Sequence, residues 1–185
     1  MVIKKIFSVT LCCIGFMCGG LMSATSAWAV EAATPVEAVD GFHNALKIGD
    51  TAAALSLLAR DLVVVEFGVI DPTVEAYSFS HMPFDMDMEG ATSWTLNSRQ
   101  VGGTGDTRFV VSSYHVNGQD ATGATIDHNV FETAVVTRVG GRFRISHLHW
   151  STDNPQYAAR AQDLRLKAKP STAGEGTPPS SPPGQ

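Results

Sequence analysis

Apolar positions recur at helical spacing early in the folded part of the chain and at strand spacing through its second half. Thr34-Pro35-Val36-Glu37 has the make-up of a helix start: a hydroxyl to cap, a proline for the first helical position and a glutamate to close a capping box. Val36, Val39, Phe42, His43 and Leu46 follow on one stripe, which predicts an amphipathic helix ended by Gly49. Asp50 predicts a cap for a second, short helix with Ala54, Leu55, Leu57 and Leu58 on its apolar face. Residues 62–67 are β-branched and apolar, which predicts a strand closed by Gly68. Asp71-Pro72 predicts a cap for a helix over residues 74–81, with Pro83 stopping or kinking it and a short helical turn over 85–89.

Four strands are predicted next, over residues 92–101, 108–116, 125–137 and 142–150. The turns between them are Gly102-Gly103-Thr104-Gly105-Asp106, Asn117-Gly118-Gln119-Asp120 and Gly140-Gly141, with Asn117-Gly118 and Gly140-Gly141 as the hairpin signals. After Asp153-Asn154-Pro155 a terminal helix is predicted over 157–168. Helices first and long antiparallel strands afterwards predict an α+β fold, with the N-terminal helices packed on a curved, mainly antiparallel β-sheet.

The two ends differ from this patterned region. Lys4 and Lys5 precede an apolar stretch, and Ala27-Trp28-Ala29 fits the small-x-small rule for signal cleavage. Residues 1–29 are therefore expected to be a secretory signal peptide, with no stable membrane insertion after cleavage. Residues 30–167 are expected to form a single domain. Residues 168–185 are expected to be a disordered tail, rich in proline, serine and glycine with no apolar residue larger than alanine. Cys12, Cys13 and Cys18 all lie in the signal. The expected mature domain thus has no disulfide, thiolate metal site or cysteine nucleophile, and relies on its core. Of 13 basic residues, Lys4 and Lys5 leave with the signal, so 11 remain against 18 acidic residues, a net charge of −7. No basic patch remains, which argues against nucleic acid as a partner.

The element order resembles the cone-shaped α+β superfamily of the nuclear transport factor, the SnoaL-like polyketide cyclases, ketosteroid isomerase and scytalone dehydratase. Phe42-His43-Asn44-Ala45-Leu46-Lys47-Ile48-Gly49-Asp50 resembles the opening helix of small SnoaL-like domains, and Leu57-Leu58-Ala59-Arg60-Asp61-Leu62-Val63-Val64-Val65-Glu66 the step into their first strand. Glu75-Ala76-Tyr77, His81-Met82-Pro83-Phe84-Asp85-Met86, Glu132-Thr133 and the stretch Gly140 to Ser151 are similar to an exported, largely uncharacterised bacterial branch. The resemblance implies a cone-shaped SnoaL-like fold, a pocket for a small apolar or amphipathic molecule, a homodimer and a periplasmic or secreted location. Its sheet seam would use Leu148, Trp150 and Tyr114. Neither the isomerase's Asp base with its Tyr/Asp oxyanion pair nor the dehydratase's Asp with paired histidines is reproduced at matching positions. This superfamily hosts enzymes, binding domains and dimerisation modules, so the fold alone names no reaction.

Candidate chemistry rests on histidines and carboxylates. His147 and His149 are two apart in a strand and so share a face, together with Phe143 and Ile145, while Leu148 and Trp150 point the other way. They could form an acid/base pair or ligate a divalent metal. Otherwise no cofactor is expected. Glu132 lies in an apolar strand with His128 on the same face, and Glu66 ends another strand. A carboxyl among apolar neighbours is a way to make a general base, whereas an ion pair to Arg99, Arg108, Arg142 or Arg144 would make it structural. His81 and Asp85 share a face if the helix persists across Pro83, and otherwise sit in a loop over the cone. Asp85, Asp87 and Glu89 together could attract a cation, and could equally form an acidic, solvated loop. His43 sits on the apolar stripe as a core or pocket-wall residue. Met86, with Met82 and Met88, and Tyr77, Phe79 and Trp94 are candidates for an apolar wall. No G-x-S-x-G, phosphate loop or H-E-x-x-H is present. Three readings follow: a small-molecule-binding domain, a cofactor-independent acid/base enzyme of isomerase, dehydratase or cyclase type using His149, His147, Glu132 and His81, or a dimeric interaction module.

Overall fold

A computed structural model of the chain describes residues 31–120 and 122–168. The expected signal peptide and all but the first residue of the expected tail lie outside the described residues. In chain order the elements are α1 (Pro35–Lys47), α2 (Thr51–Ser56), β1 (Leu58–Glu66), β2 (Val69–Asp71), α3 (Val74–Phe79), α4 (His81–Ala91), β3 (Thr92–Thr104), β4 (Thr107–Gln119), β5 (Thr125–Val139), β6 (Arg142–Thr152) and α5 (Pro155–Ala168).

The helix starts follow the local chemistry. Thr34 caps α1, and Glu37 reaches back to its backbone to complete the capping box. Asp50 caps α2 through Ala53 N–H. The third helix is capped by Thr73, not Asp71, because Asp71 is held in β2. The sequence pattern missed β2, a three-residue strand that folds back on β1 through Phe67 and Gly68, both at positive φ. Pro83 also acts differently from expectation. It lies in the first turn of α4, where a missing N–H costs nothing, so it opens a helix instead of stopping one. The helical turn expected over 85–89 is part of α4, and Asp85 and Glu89 are buried in it and do not form a solvated acidic face.

The six strands form one sheet in the order β2-β1-β6-β5-β4-β3. All neighbours are antiparallel except β1 and β6. Asn117-Gly118 is not a hairpin turn: β4 runs through it, paired with both β3 and β5. Gly118 (φ +149) sits where Thr92 and the Ala91 carbonyl press on the strand, and a Cβ there would lie 2.9 Å from Ala91 O. The chain reverses later, around Asp120, whose Oδ1 accepts from the N–H groups of Thr122 and Ala124.

One face of the sheet carries the core. Val110, Val116, Ala134, Val136, Ile145 and Leu148 are fully buried there against Val39, Phe42 and Leu46 of α1. α1 touches α4, β4, β5 and β6, so it lies across the inside of the sheet. The strand β6 reaches this face by an irregularity. Val135 pairs with His147 and Val136 with Ile145, leaving Ser146 as an extra residue. The bulge puts Phe143, Ile145, Leu148 and Trp150 all on the core side. His147 and His149 therefore do not share a face with Phe143 and Ile145; they turn to the outer face, where His149 is exposed. The same geometry overturns a seam of Leu148, Trp150 and Tyr114, since all three are buried inside the subunit. Phe109, Val111 and Phe131 are the exposed apolar residues of the outer face. Phe79 is solvent-exposed and forms no pocket wall. Among the described residues, no helix is long and apolar enough to cross a membrane.

Candidate functional site

Three chains of hydrogen-bonded side chains run from the helices into the concave face. The central one begins at His43 on α1. Its Nδ1 donates to Glu89 Oε1 of α4 at 2.5 Å and its Nε2 to Glu132 Oε2 of β5 at 2.8 Å. Trp150 Nε1 donates to the same Glu132 oxygen at 2.8 Å. Glu132 Oε1 has no hydrogen-bond partner among the described residues. Burial by itself would lower the pKa of His43, but the charges of Glu132 and Glu89, reinforced by their hydrogen bonds, outweigh it and hold the imidazole well above its usual value. Burial pushes Glu132 up, and the adjacent His43 cation more than reverses this, with Trp150 helping, so its carboxyl falls below the usual range. The result is an imidazolium clamped between two carboxylates. The rings of Tyr114 and Trp94 stand 5.1 and 5.5 Å from that imidazole, centroid to centroid.

None of the four arginines weighed as an ion-pair partner for Glu132 pairs with it. Arg99 instead reaches Asp40, Ser112 and the Tyr114 hydroxyl. Arg144 donates to Ser56 O, Arg108 to Gly103 O, and Arg142 pairs with Glu31. Glu132 and His128 do share a face, as their spacing predicts, and both are buried.

The second chain is Tyr77 O–H donating to Asp85 Oδ2 at 2.7 Å, fully inside. Burial, with Asp85 beside it, raises the Tyr77 pKa well above its usual value, so the phenol stays protonated and a donor. The third runs from Ser80, which donates to Asp71 Oδ1 at 2.7 Å, to His81, whose Nδ1 donates to Asp71 Oδ2. The other ring nitrogen of His81 faces Glu66 at 3.7 Å. His81 and Asp85 lie on one buried face of α4, with Glu89 one turn further on.

These chains end at a pocket between the sheet, α4 and α5. Glu66, Asp85 and Glu89 line it together with Trp94, Trp150 and His128, and Tyr157 of α5 covers it. The unfilled space is about 380 Å³ including its opening to solvent. It is narrow, with room for about one or two waters before side chains move. His128 is 6% exposed, stacks on Tyr157 at 4.2 Å between centroids, and has no hydrogen bond to either ring nitrogen among the described residues. Burial lowers its pKa, opposed by Asp153 and Asp127, which leaves a neutral ring at neutral pH.

The structure thus sorts the residues singled out from sequence. Asp85, His128, Glu66 and Trp94 line the pocket. His43, Glu132, Tyr77 and His81 stand behind the wall and hold it. Met86 packs partly buried against the core and accepts from Thr51 Oγ1, outside the pocket wall. His147 and His149 are on the opposite face of the sheet. Among the described residues no group of three or more histidines, cysteines or carboxylates is placed to hold a metal, so this pair gains no third ligand. Tyr157 is a pocket residue that the sequence reading left out, and Glu89, named there only within an acidic group, is another. A signal for Glu89 existed: His81, Asp85 and Glu89 are spaced i, i+4, i+8, one face of a helix once Pro83 is allowed to start it.

The chain matches the SnoaL-like domain family model over residues 36–155. No curated protein sequence matches it. Among solved structures, a proposed ketosteroid isomerase from Shewanella frigidimarina NCIMB 400 is 32% identical, with a TM-score of 0.59 over 62% of this chain and 91% of that one. A proposed dehydratase of the NTF2-like family from Streptomyces avermitilis is 20% identical, with a TM-score of 0.55 over 63% and 91%. A proposed calcium/calmodulin-dependent kinase II association domain from Xanthomonas campestris, also 20% identical, has a TM-score of 0.55 over 69% and 96%. These last two share the fold. With its helices on the inside of a curved, mostly antiparallel sheet and the family pattern running from α1 into α5, the chain belongs to the SnoaL-like domain family.

Proposed function

We propose that this domain binds a small, apolar or amphipathic molecule in the pocket beneath α5. The observation that carries the reading is that three carboxyl side chains converge on one aromatic-walled pocket, each held from behind: Glu89 by His43, Asp85 by Tyr77, and Glu66 facing His81. Burying so many ionisable groups costs free energy that a purely structural core would avoid. Such cost is commonly met at functional sites. Tyr157 of α5 forms part of the pocket wall, so a ligand there would lie against α5. A thermal-shift screen of small apolar and amphipathic fragments, followed by crystal structures of the hits, tests this. Hits are expected among Trp94, Trp150 and Tyr157, and a screen whose hits all lie outside this pocket would refute it.

A second reading is acid/base catalysis without a cofactor. It draws on Glu89, a pocket carboxyl in direct contact with the imidazolium of His43 and therefore coupled to a proton donor. The similarity to a proposed ketosteroid isomerase is compatible with it. Turnover of an enolisable substrate that is lost in Glu89→Gln would support this reading. Export to the periplasm or medium is proposed from Lys4, Lys5 and the Ala27-Trp28-Ala29 site. A homodimer is proposed through the outer sheet face, where Phe109, Val111 and Phe131 would meet the same patch of a second copy. Light scattering of wild type and Phe131→Glu tests that pairing, with a dimer expected only for the first.

A further inference from the structure

The chemistry of the pocket narrows what it accepts. Among the described residues, the charged side chains that line it are Glu66, Asp85 and Glu89. The rest of its wall includes Trp94, Trp150 and Tyr157. Aromatic faces present negative electrostatic potential, as carboxylates do, and the His43 imidazolium that offsets Glu89 stands behind the wall, not on it. An anionic ligand is disfavoured by both. A neutral apolar ligand would be served by the rings but would gain nothing from the carboxyls beside it.

His128 supplies an independent pointer. It is 94% buried, lines the same pocket, and neither ring nitrogen has a hydrogen-bond partner among the described residues. Burial keeps the ring neutral, so one nitrogen carries a lone pair that can accept an N–H. A buried acceptor left without a donor is costly, and a ligand that brings a donor removes that cost.

We propose that the ligand of this pocket is a protonated organic amine, with its ammonium among Glu66, Asp85 and Glu89, an N–H donated to His128, and its apolar body against Trp94 and Trp150. This rests on the pocket being the ligand site, and deepens that reading by naming the ligand class. The carboxyls keep their internal partners. Those partners hold the oxygens in place in advance, which lowers the ordering cost of binding. Crowded like charges also make the site more receptive to a cation than a single carboxylate would be.

The test uses the full chain and three probes of like shape: phenethylammonium, its neutral counterpart n-propylbenzene, and phenylacetate as the anion. Binding is followed by 15N NMR of the Trp94 and Trp150 indole N–H groups at pH 7. The amine is expected to bind about tenfold or more tighter than n-propylbenzene, the combined effect of cation–π and charge-assisted hydrogen bonds. Phenylacetate is expected not to bind. Glu66→Gln and His128→Phe should each weaken the amine several-fold relative to n-propylbenzene, so that the preference for the amine over n-propylbenzene falls in both. Two variants are used because either alone could disturb folding, which the dispersion of the same spectra reports. Equal or tighter binding of n-propylbenzene would overturn the amine assignment and leave the binding pocket standing. Failure of all three probes, while neutral fragments from the screen do shift the two indoles, would also overturn the amine assignment alone. Silence of both indoles toward every fragment and probe would overturn the binding reading itself.

Discussion

Replacing His43 with leucine should be among the most damaging single changes in this domain. The substitution keeps an apolar side chain of similar size on α1 but deletes the cation between Glu89 and Glu132, along with its hydrogen bonds of 2.5 and 2.8 Å. Glu132 is 1% exposed and would keep only Trp150 as a donor. Removing one partner from a buried ion pair typically costs about 3–5 kcal/mol, because the remaining charge is stranded. For a domain of this size that is a fall of roughly 10–20 °C in Tm. Adding Glu132→Gln to His43→Leu removes one stranded charge and should restore about 1–3 kcal/mol.

The pH dependence of this loss has a definite sign. The folded pKa of His43 is raised, so its contribution is complete below its unfolded value of about 6.5 and declines as pH rises through the folded value. The folded pKa of Glu132 is lowered, so its contribution is complete above about 4.3 and is lost as pH falls through the folded value. The gap in stability between wild type and His43→Leu is therefore widest between about pH 4.3 and 6.5 and narrows on either side. Urea unfolding followed by tryptophan fluorescence over pH 4 to 10 measures it. A gap below about 1 kcal/mol at pH 6, or one that does not shrink toward alkaline pH, would refute the imidazolium clamp.

Other perturbations follow from single contacts. Gly118→Ala should cost about 2 kcal/mol by chemical denaturation, because a Cβ would lie 2.9 Å from Ala91 O at a backbone conformation with φ +149. Tyr77→Phe removes the buried donor to Asp85 and should lower stability by about 1–3 kcal/mol while leaving the fold intact by circular dichroism. Thr34→Ala breaks the capping box of α1 and should cost about 1 kcal/mol in the same assay. The double variant His147→Ala/His149→Ala should stay within about 0.5 kcal/mol of wild type and leave fragment binding unchanged, since both residues turn away from the pocket.

Much of the fold could be read from the chain because its local rules agree with one another. The capping residues Thr34 and Asp50, the stripe on α1 and the strand periodicity all point to the observed elements. The failures occur where a local signal has two physical meanings. Asn117-Gly118 is a good turn dipeptide, yet the glycine is needed because α4 runs into β3 directly against it. A proline after a helical run can end that helix or begin the next, and Pro83 begins one. In β6 the apolar residues fall at 143, 145, 148 and 150, and the step of three between 145 and 148 marks the bulge that a strict alternation overlooks. That one extra residue turned the most conspicuous histidines of the sequence outward. The chemistry at the centre could not be read locally, because His43, Glu89 and Glu132 come from three distant elements and meet only through the curvature of the sheet.

The pocket beneath α5 is the centre of the proposed function, and its two tryptophans allow a direct reading. Both Trp94 and Trp150 line the pocket, so titrating fragments against 15N-labelled protein and following their assigned indole N–H resonances reports on that space and little else. Saturable shifts of both indoles that disappear when Tyr157→Ala is introduced are the predicted result. Fragments that bind the protein yet leave both indole resonances unmoved would contradict it.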